Sequence, residues 1–279
     1  MTMNIMFCGD EKMTDGVLIA TLSLMRHTDQ PLHIYVLTAK LKVNGHAYQP
    51  FSAVTAERMA DLMRQENPQH RLTRIDITDL FMANPPQANM TTMFTPYCML
   101  RLYADLIPEL PDRVLYLDTD IVCRRSFSNL YQEPMKDVDI AGVLDHYGKW
   151  WFHHKLTWFD YINSGVLLIN LASIRQDGLL VRCRRLIRHR WLFMPDQSAL
   201  NIIAKSKQIL PRKYNEQHKV ETDTVFQHFT TSFRFWPRFR IVTVKPWQIS
   251  AVHHQLGLHE YDDLLNDYRQ LAPKLKEVS

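Results

Sequence analysis

The sequence predicts an α/β fold, a Rossmann-like, mostly parallel sheet with flanking helices. Two observations carry this. In the first third, short β-branched or apolar runs alternate with segments of helical periodicity, as in successive β-α units. Further on, the apolar run Arg113–Leu117 empties into Asp118-Thr119-Asp120, and open α/β sheets bind ligands at the carboxyl ends of their strands.

The elements follow in order. Asn4–Phe7, Leu32–Thr38 and Leu72–Ile77 are short apolar or β-branched runs and predict strands, while Thr14–Arg26 and Ala53–Gln65 carry helical periodicity between them. After a loop with Pro85 and Pro86, a helix is expected over Tyr97–Leu106, closed by Pro108 and Pro111. Arg113–Leu117 is a continuous apolar strand of the kind buried on both faces. Further strands are expected at Asp139–Leu144 and Gly165–Asn170, helices at Leu179–His189 and Asp196–Lys205, and a last helix from about Tyr261 to Lys276. The expected division is one domain over 1–259, in two halves, 1–120 and 121–259. Residues 260–279 then form a C-terminal helix packed on it.

Composition narrows the class. A chain of 279 residues with 46% hydrophobic content can bury a sizeable core. Asp10, Glu11 and Lys12 interrupt the first apolar run before it could serve as a signal peptide, and no stretch is apolar enough to span a bilayer. Cys8, Cys98, Cys123 and Cys183 stand far apart without a CxxC pair, which suggests neither a zinc knuckle nor a disulfide framework. The expectation is a reduced, cytoplasmic setting. The net charge of +4 is modest, but Arg182, Arg184, Arg185, Arg188 and Arg190 cluster, as do Arg234, Arg238 and Arg240. An anionic partner and a plain solvated helix face both explain the first cluster. No recognition motif supports nucleic acid.

The strongest chemical signal is Asp118-Thr119-Asp120. Two carboxylates at a sheet edge are hard oxygen ligands suited to magnesium or manganese, which keep positions open for phosphate oxygens. An ion there can neutralise charge on a leaving diphosphate. The plain alternative is a pair of strand-terminating aspartates. A second enzymatic reading is a haloacid-dehalogenase-like phosphohydrolase, in which Asp118 is phosphorylated, although three strands precede the motif here instead of none. A third is a non-catalytic sugar-nucleotide-binding subunit.

Several separated segments resemble the retaining family-eight glycosyltransferases, the group with bacterial lipooligosaccharide galactosyltransferases and glycogenin. Ile5-Met6-Phe7-Cys8-Gly9-Asp10 is similar to the family's first strand and uracil-contacting turn, Leu100-Arg101-Leu102 to its arginine-bearing helix, and Leu115 to Asp120 to its metal motif. The segment from Tyr161 to Leu171 resembles its asparagine-glycine strand, Asp196 to Asn201 its catalytic-loop helix, and Tyr214-Asn215 its aromatic-asparagine pair. His228-Phe229 and Lys245-Pro246-Trp247 resemble the two ends of its last motif.

The resemblance implies a GT-A-type nucleotide-diphospho-sugar transferase fold, with 1–120 as its nucleotide-binding half and 121–259 as its donor-sugar and acceptor half, and a hexosyltransferase moving glucose or galactose from a UDP-hexose. The acceptor would be a carbohydrate, glycolipid or glycoprotein. It implies Mn2+ or Mg2+ held by Asp118, Asp120 and His228. Cys8, Asp10, Arg101, Asp118, Thr119, Asp145, Asn163, Ser164 and Lys245 would bind the donor, and Asp196 and Gln197 would lie nearest the anomeric carbon. Each has a plainer reading beside it: Asp10 a helix cap, Arg101 a structural ion pair, Asp145 a turn aspartate, Gly165 a close backbone approach. Retention of configuration is compatible with a covalent carboxylate, as in glycosidases with carboxyls roughly 5 Å apart. The preferred reading is attack on the face the diphosphate leaves.

One departure matters. Thr230–Val244 separates the histidine from Lys245-Pro246-Trp247, and it holds Phe233, Arg234, Phe235, Trp236, Arg238, Phe239 and Arg240. The insertion suits an acceptor-binding loop, peripheral contact with an anionic membrane surface at the inner face of the membrane, or a buried aromatic cluster. It also leaves two metal histidines in competition, His228 and His254. His254 has the family's histidine-glycine spacing but is followed by Glu260 where a lysine is expected, and a carboxylate there repels a diphosphate.

Overall fold

The computed structural model describes residues 1–92, 95–146, 160–234 and 240–276. Its centre is a seven-stranded sheet in the order β10-β8-β9-β6-β1-β2-β5. These strands are β1 (Met3–Cys8), β2 (Leu32–Thr38), β5 (Arg71–Asp76), β6 (Arg113–Leu117), β8 (Ile140–Leu144), β9 (Ile162–Asn170) and β10 (Lys207–Ile209). Strand β1 runs parallel to both β2 and β6, and β2 parallel to β5.

Residue pattern explains why the sheet is covered on both sides. Side chains alternate along a strand, and in β1 both alternating sets are apolar. Met3, Ile5 and Phe7 pack in one core with the Thr14–Met25 and Ala53–Glu66 helices. Met6 and Cys8 pack in a second core with Tyr97, Leu100, Tyr103 and Ile187. The sequence-based bounds agree within a few residues, and β2, β6 and the Leu179–His189 helix agree to the residue. The Ser52 hydroxyl fixes the start of the Ala53–Glu66 helix by accepting from Thr55 N–H. The last helix, Asp262–Lys276, presses Leu264, Leu265, Ala272 and Leu275 into the first core.

Three features differ from the sequence-based expectation. Strand β9 is longer than Gly165–Asn170, and it is antiparallel to both β6 and β8. An apolar run buried on both faces carries no information about strand direction, so this reversal had no sequence signal. The expected Tyr97–Leu106 helix is a 3-10 helix over Pro96–Leu106, with Pro96 in its first turn, where a missing N–H costs nothing. A hairpin of β3 (Leu41–Val43) and β4 (His46–Tyr48) was not anticipated. Its turn residues Asn44 and Gly45 both have positive φ, 50° and 77°, as a two-residue hairpin turn requires.

The insertion after His228 forms an antiparallel pair of short strands, β12 (Ser232–Arg234) and β13 (Arg240–Val242). Phe235, Trp236, Arg238 and Phe239, on which the aromatic-cluster and surface-loop readings depended, lie outside the described residues.

Candidate active site

The site lies where β6 ends. Asp118 N–H donates to the Gly165 carbonyl of β9 at 2.8 Å, which ties the aspartate motif to the Asn163-Ser164-Gly165 segment. The chain then turns into β7 (Ile121–Cys123), which pairs antiparallel with β11 (Phe226–His228), His228 opposite Ile121. That pairing delivers His228 to the aspartates from more than a hundred residues away.

Asp118, Asp120 and His228 each offer a ligand atom, all within 4.8 Å of one another. His228 Nε2 lies 3.2 Å from Asp120 and 3.7 Å from Asp118. Its Nδ1 lies 3.1 Å from Asn215 Oδ1, which can only accept, so Nδ1 carries a proton and Nε2 is the nitrogen turned to the carboxylates. Lys245 ion-pairs with Asp120 and donates to the Phe229 carbonyl. Burial alone would raise the Asp120 carboxyl, but His228 and Lys245 beside it hold it well below the usual carboxylate range. This donor set, two carboxylates and one oriented imidazole, fits a divalent cation of the Mn2+ or Mg2+ type. His254 is exposed in the turn Val252–Leu256 and stands outside this cluster, and Glu260 pairs with Arg124.

A second group adjoins the first. Asp145 accepts from Asn163 Nδ2 at 2.9 Å and from Gln197 Nε2 at 3.1 Å. Asn163 Oδ1 accepts from Gly165 N–H and from Asn215 Nδ2, both at 2.9 Å. Gln197 Oε1 accepts from Ser164 N–H at 2.9 Å, and the Ser164 hydroxyl reaches Asp196 at 3.2 Å. All six residues, Asp145, Asn163, Ser164, Asp196, Gln197 and Asn215, are buried. One network therefore joins the asparagine-glycine strand, the Pro195–Ile203 helix and His228.

Arg101 joins the two groups. Its guanidinium donates to Asp118 at 2.9 Å, lies 3.4 Å from Asp196, and sits 3.8 Å above the Tyr116 ring. It also donates to the carbonyls of Cys98 and Ser164, so the ion-pair geometry holds with both aspartates. Tyr116 adds a hydrogen bond to Asp118 at 2.6 Å.

The remaining expected residues are peripheral to this network. Cys8 is buried, and burial pushes its thiol up to about 12. Asp10 caps the short Glu11–Met13 turn by accepting from Lys12 N–H, and burial raises its carboxyl. The Thr119 hydroxyl contacts Met13 Sδ at 3.3 Å.

Sequence reasoning missed two positions. Tyr116 was read only as part of a strand, and the alternation of β6 could have flagged it as an interior hydroxyl near Asp118. Gly165 was left as a close approach, and the partner is His228: an added Cβ would stand 2.2 Å from His228 Cε1. A cleft of about 340 Å³ opens beside His228, lined also by Gln217, His218, Gln227 and Phe229.

A model of glycosyl transferase family 8 matches residues 4–248. The chain is 26% identical over 215 residues to a lipopolysaccharide 1,2-glucosyltransferase of Escherichia coli, covering 64% of this chain and 62% of that one. It is 24% identical over 174 residues to a lipopolysaccharide 1,3-galactosyltransferase of Salmonella typhimurium, covering 54% and 52%. The match thus spans between half and two thirds of these relatives' length. Among solved structures, the galactosyltransferase LgtC in complex with donor and acceptor sugar analogs aligns with a TM-score of 0.63 and 17% identity, over 99% of this chain and 98% of that one. The glycosyltransferase GlyE of Streptococcus pneumoniae aligns with a TM-score of 0.61 and 18% identity, over 99% and 66%. The fold is thus that of the GT-A glycosyltransferases.

Proposed function

The chain belongs to glycosyl transferase family 8, and we propose that it transfers a hexose, glucose or galactose, from a UDP-sugar to a saccharide acceptor. The observation that carries this is the grouping of Asp118, Asp120 and the oriented His228 at the carboxyl end of β6. Family membership leaves the phosphohydrolase reading without support. The named activities of the relatives, glucosyl and galactosyl transfer in lipopolysaccharide, make a glycan of the bacterial surface the favoured acceptor class.

In this reading Asp118, Asp120 and His228 hold Mn2+ or Mg2+, which when bound supplies charge stabilisation for the leaving diphosphate. Lys245 adds a second positive charge beside the same oxygens. Asp145 and Asn163 present a carboxylate and an amide to donor-sugar hydroxyls, and Asp10 accepts from the uracil. Arg101 acts by positioning, pairing with Asp118 and Asp196 and donating to two carbonyls.

Asp196 and Gln197 face developing positive charge at the anomeric carbon. Asp196 is engaged by Arg101 and Ser164, and the Gln197 amide oxygen by two groups of Ser164. A carboxylate so tied is a poor nucleophile, which supports attack on the face the diphosphate leaves over a covalent intermediate. The diphosphate then takes the acceptor proton.

Contact with an anionic membrane surface is part of the same reading. Among the described residues no helix is long and apolar enough to cross a membrane, but exposed Trp191 and Phe193 follow Arg185, Arg188 and Arg190. Sedimentation with anionic vesicles should fall in Trp191→Ala and Arg190→Glu, and equal sedimentation of all three proteins removes this part.

Two measurements test the core of the proposal. Thermal shift with UDP-glucose, UDP-galactose and UDP-N-acetyl sugars in Mn2+ should single out a hexose donor, because ligand binding to the folded state raises stability. Titration of Mn2+ with UDP present should lose at least about tenfold in affinity in His228→Ala and stay near wild type in His254→Ala. The reverse pattern would sink the metal assignment and the role of Lys245 with it. Release of hexose from the donor without acceptor separates an enzyme from a non-catalytic binding subunit.

A further inference from the structure

A second cluster of metal-type ligands lies in the connection that leads into the last helix and shares no residue with the Asp118 cluster. His253 sits in the π-helical turn Val252–Leu256, His259 in the connection that follows, and Asp262 in the first turn of the Asp262–Lys276 helix. Each offers one ligand atom, and the three atoms lie within 4.8 Å of one another. Among the described residues only this trio and the Asp118 cluster group in that way.

The geometry points to a second divalent-metal site, made by His253, His259 and Asp262 and suited to Zn2+ or a similar borderline ion. The Asp262 carboxylate spans the two imidazoles, with Oδ1 2.7 Å from His253 Nε2 and Oδ2 3.6 Å from His259 Nδ1. The two rings are stacked, 4.6 Å between centroids and 24° apart. Each ring turns one nitrogen toward the same carboxylate, and two imidazole nitrogens about one carboxylate are a donor set that a metal takes up.

The backbone that carries the trio is held at both ends. Val252 is fully buried, and Tyr261 is buried beside Asp262. Gly257, at φ 67°, closes the turn, its N–H donating to the His253 carbonyl, and Leu258 N–H donates to Val252. Rotation of the stacked rings would bring these atoms to a tetrahedral arrangement, in which bonds are about 2.0–2.2 Å. The outer side is open, so water completes the coordination. Two imidazoles with a single carboxylate select zinc, nickel or copper, while the oxygen-rich Asp118 cluster suits manganese or magnesium. The ion would clip the chain beyond Trp247 to the last helix, so its effect is on stability.

The test uses the full chain in a His228→Ala background, stripped with EDTA, so that zinc binding at the Asp118 cluster is already weakened. Calorimetric titration with Zn2+ alone should show one site, and thermal unfolding should move to higher temperature as it fills. His259→Ala, at an exposed side chain that contributes little to packing, should weaken that site at least tenfold and abolish the thermal shift, as should Asp262→Asn. His254→Ala, one residue from the cluster, should stay within twofold. Unchanged zinc affinity in both His259→Ala and Asp262→Asn overturns the proposal, as does equal loss in His254→Ala. With His228 restored, His259→Ala should leave Mn2+ and UDP binding intact. This outcome is independent of the proposed transfer reaction, which stands or falls on donor turnover.

Discussion

The two halves of the active site are built on opposite principles. Around Asp120 the groups are ionic or metal-binding: two carboxylates, Lys245 and an imidazole, with the Asp118 side chain 29% exposed. Around Asp145 the linking groups are amides and a hydroxyl, all buried and tied by short hydrogen bonds to defined partners. The Lys245 side chain is 28% exposed, so in the proposed reading it can leave Asp120 for an incoming phosphate while a cation takes its place. A buried chain of dipoles rearranges only at the cost of unsatisfied groups. The first half is thus made to receive, and the second to hold still.

The comparison can be broken by substitution, beginning with the largest effect. Asp120→Asn removes a ligand and the partner of Lys245 together, and should lower turnover on the order of 10³-fold with a matching loss of UDP binding in Mn2+. UDP affinity that is the same in wild type, in Asp120→Asn and in EDTA would mean that the charged half does not receive a cation.

Asp196→Asn comes next. A group facing charge that develops only in the transition state should cost roughly 10²-fold in kcat while leaving donor affinity within a few fold. Equal losses in binding and turnover, measured by donor titration and initial rates, would make Asp196 a binding residue and erase the distinction between the halves.

The smallest of the three effects belongs to the residue that connects them. Asn215→Ala removes the acceptor that fixes His228 Nδ1 and the donor that satisfies Asn163. Metal affinity should fall about tenfold, the lower end for a residue that orients a ligand. Mn2+ titration reads this directly, and an unchanged affinity would show that the halves are independent.

How much of this was legible varies with the kind of information needed. Strands β2 and β6 were read to the residue because both of their faces are apolar, and burial on two faces leaves an unbroken run. The aspartate pair and His228 were legible as residue types and order. Their convergence was expected from the family resemblance and not from periodicity, because it depends on β11 pairing with β7, two three-residue strands too short for any repeat. The β3–β4 hairpin was readable from Asn44-Gly45, and that signal was passed over. The amide network was invisible for a different reason. Asn163, Asn215 and Gln197 are individually ordinary, and their function as a set exists only through pairings across 18 to 52 residues of chain. Gly165 shows the same limit: a glycine announces that something approaches, but not that it is an imidazole ring.

The reversed strand β9 has a consequence for how the chain reaches this state. The order β5-β2-β1-β6 is complete once residue 117 is available, but the free side of β6 waits for residues 166–170, about fifty positions later, and β9 then has to slide between β6 and β8. Until then Val114, Leu115, Tyr116 and Leu117 form a bare hydrophobic rim with unpaired backbone groups, the kind of edge that recruits strands from other chains. Seating of β9 covers that rim and in the same motion ties Gly165 to Asp118. Protection from self-association and the assembly of the site therefore depend on one and the same strand.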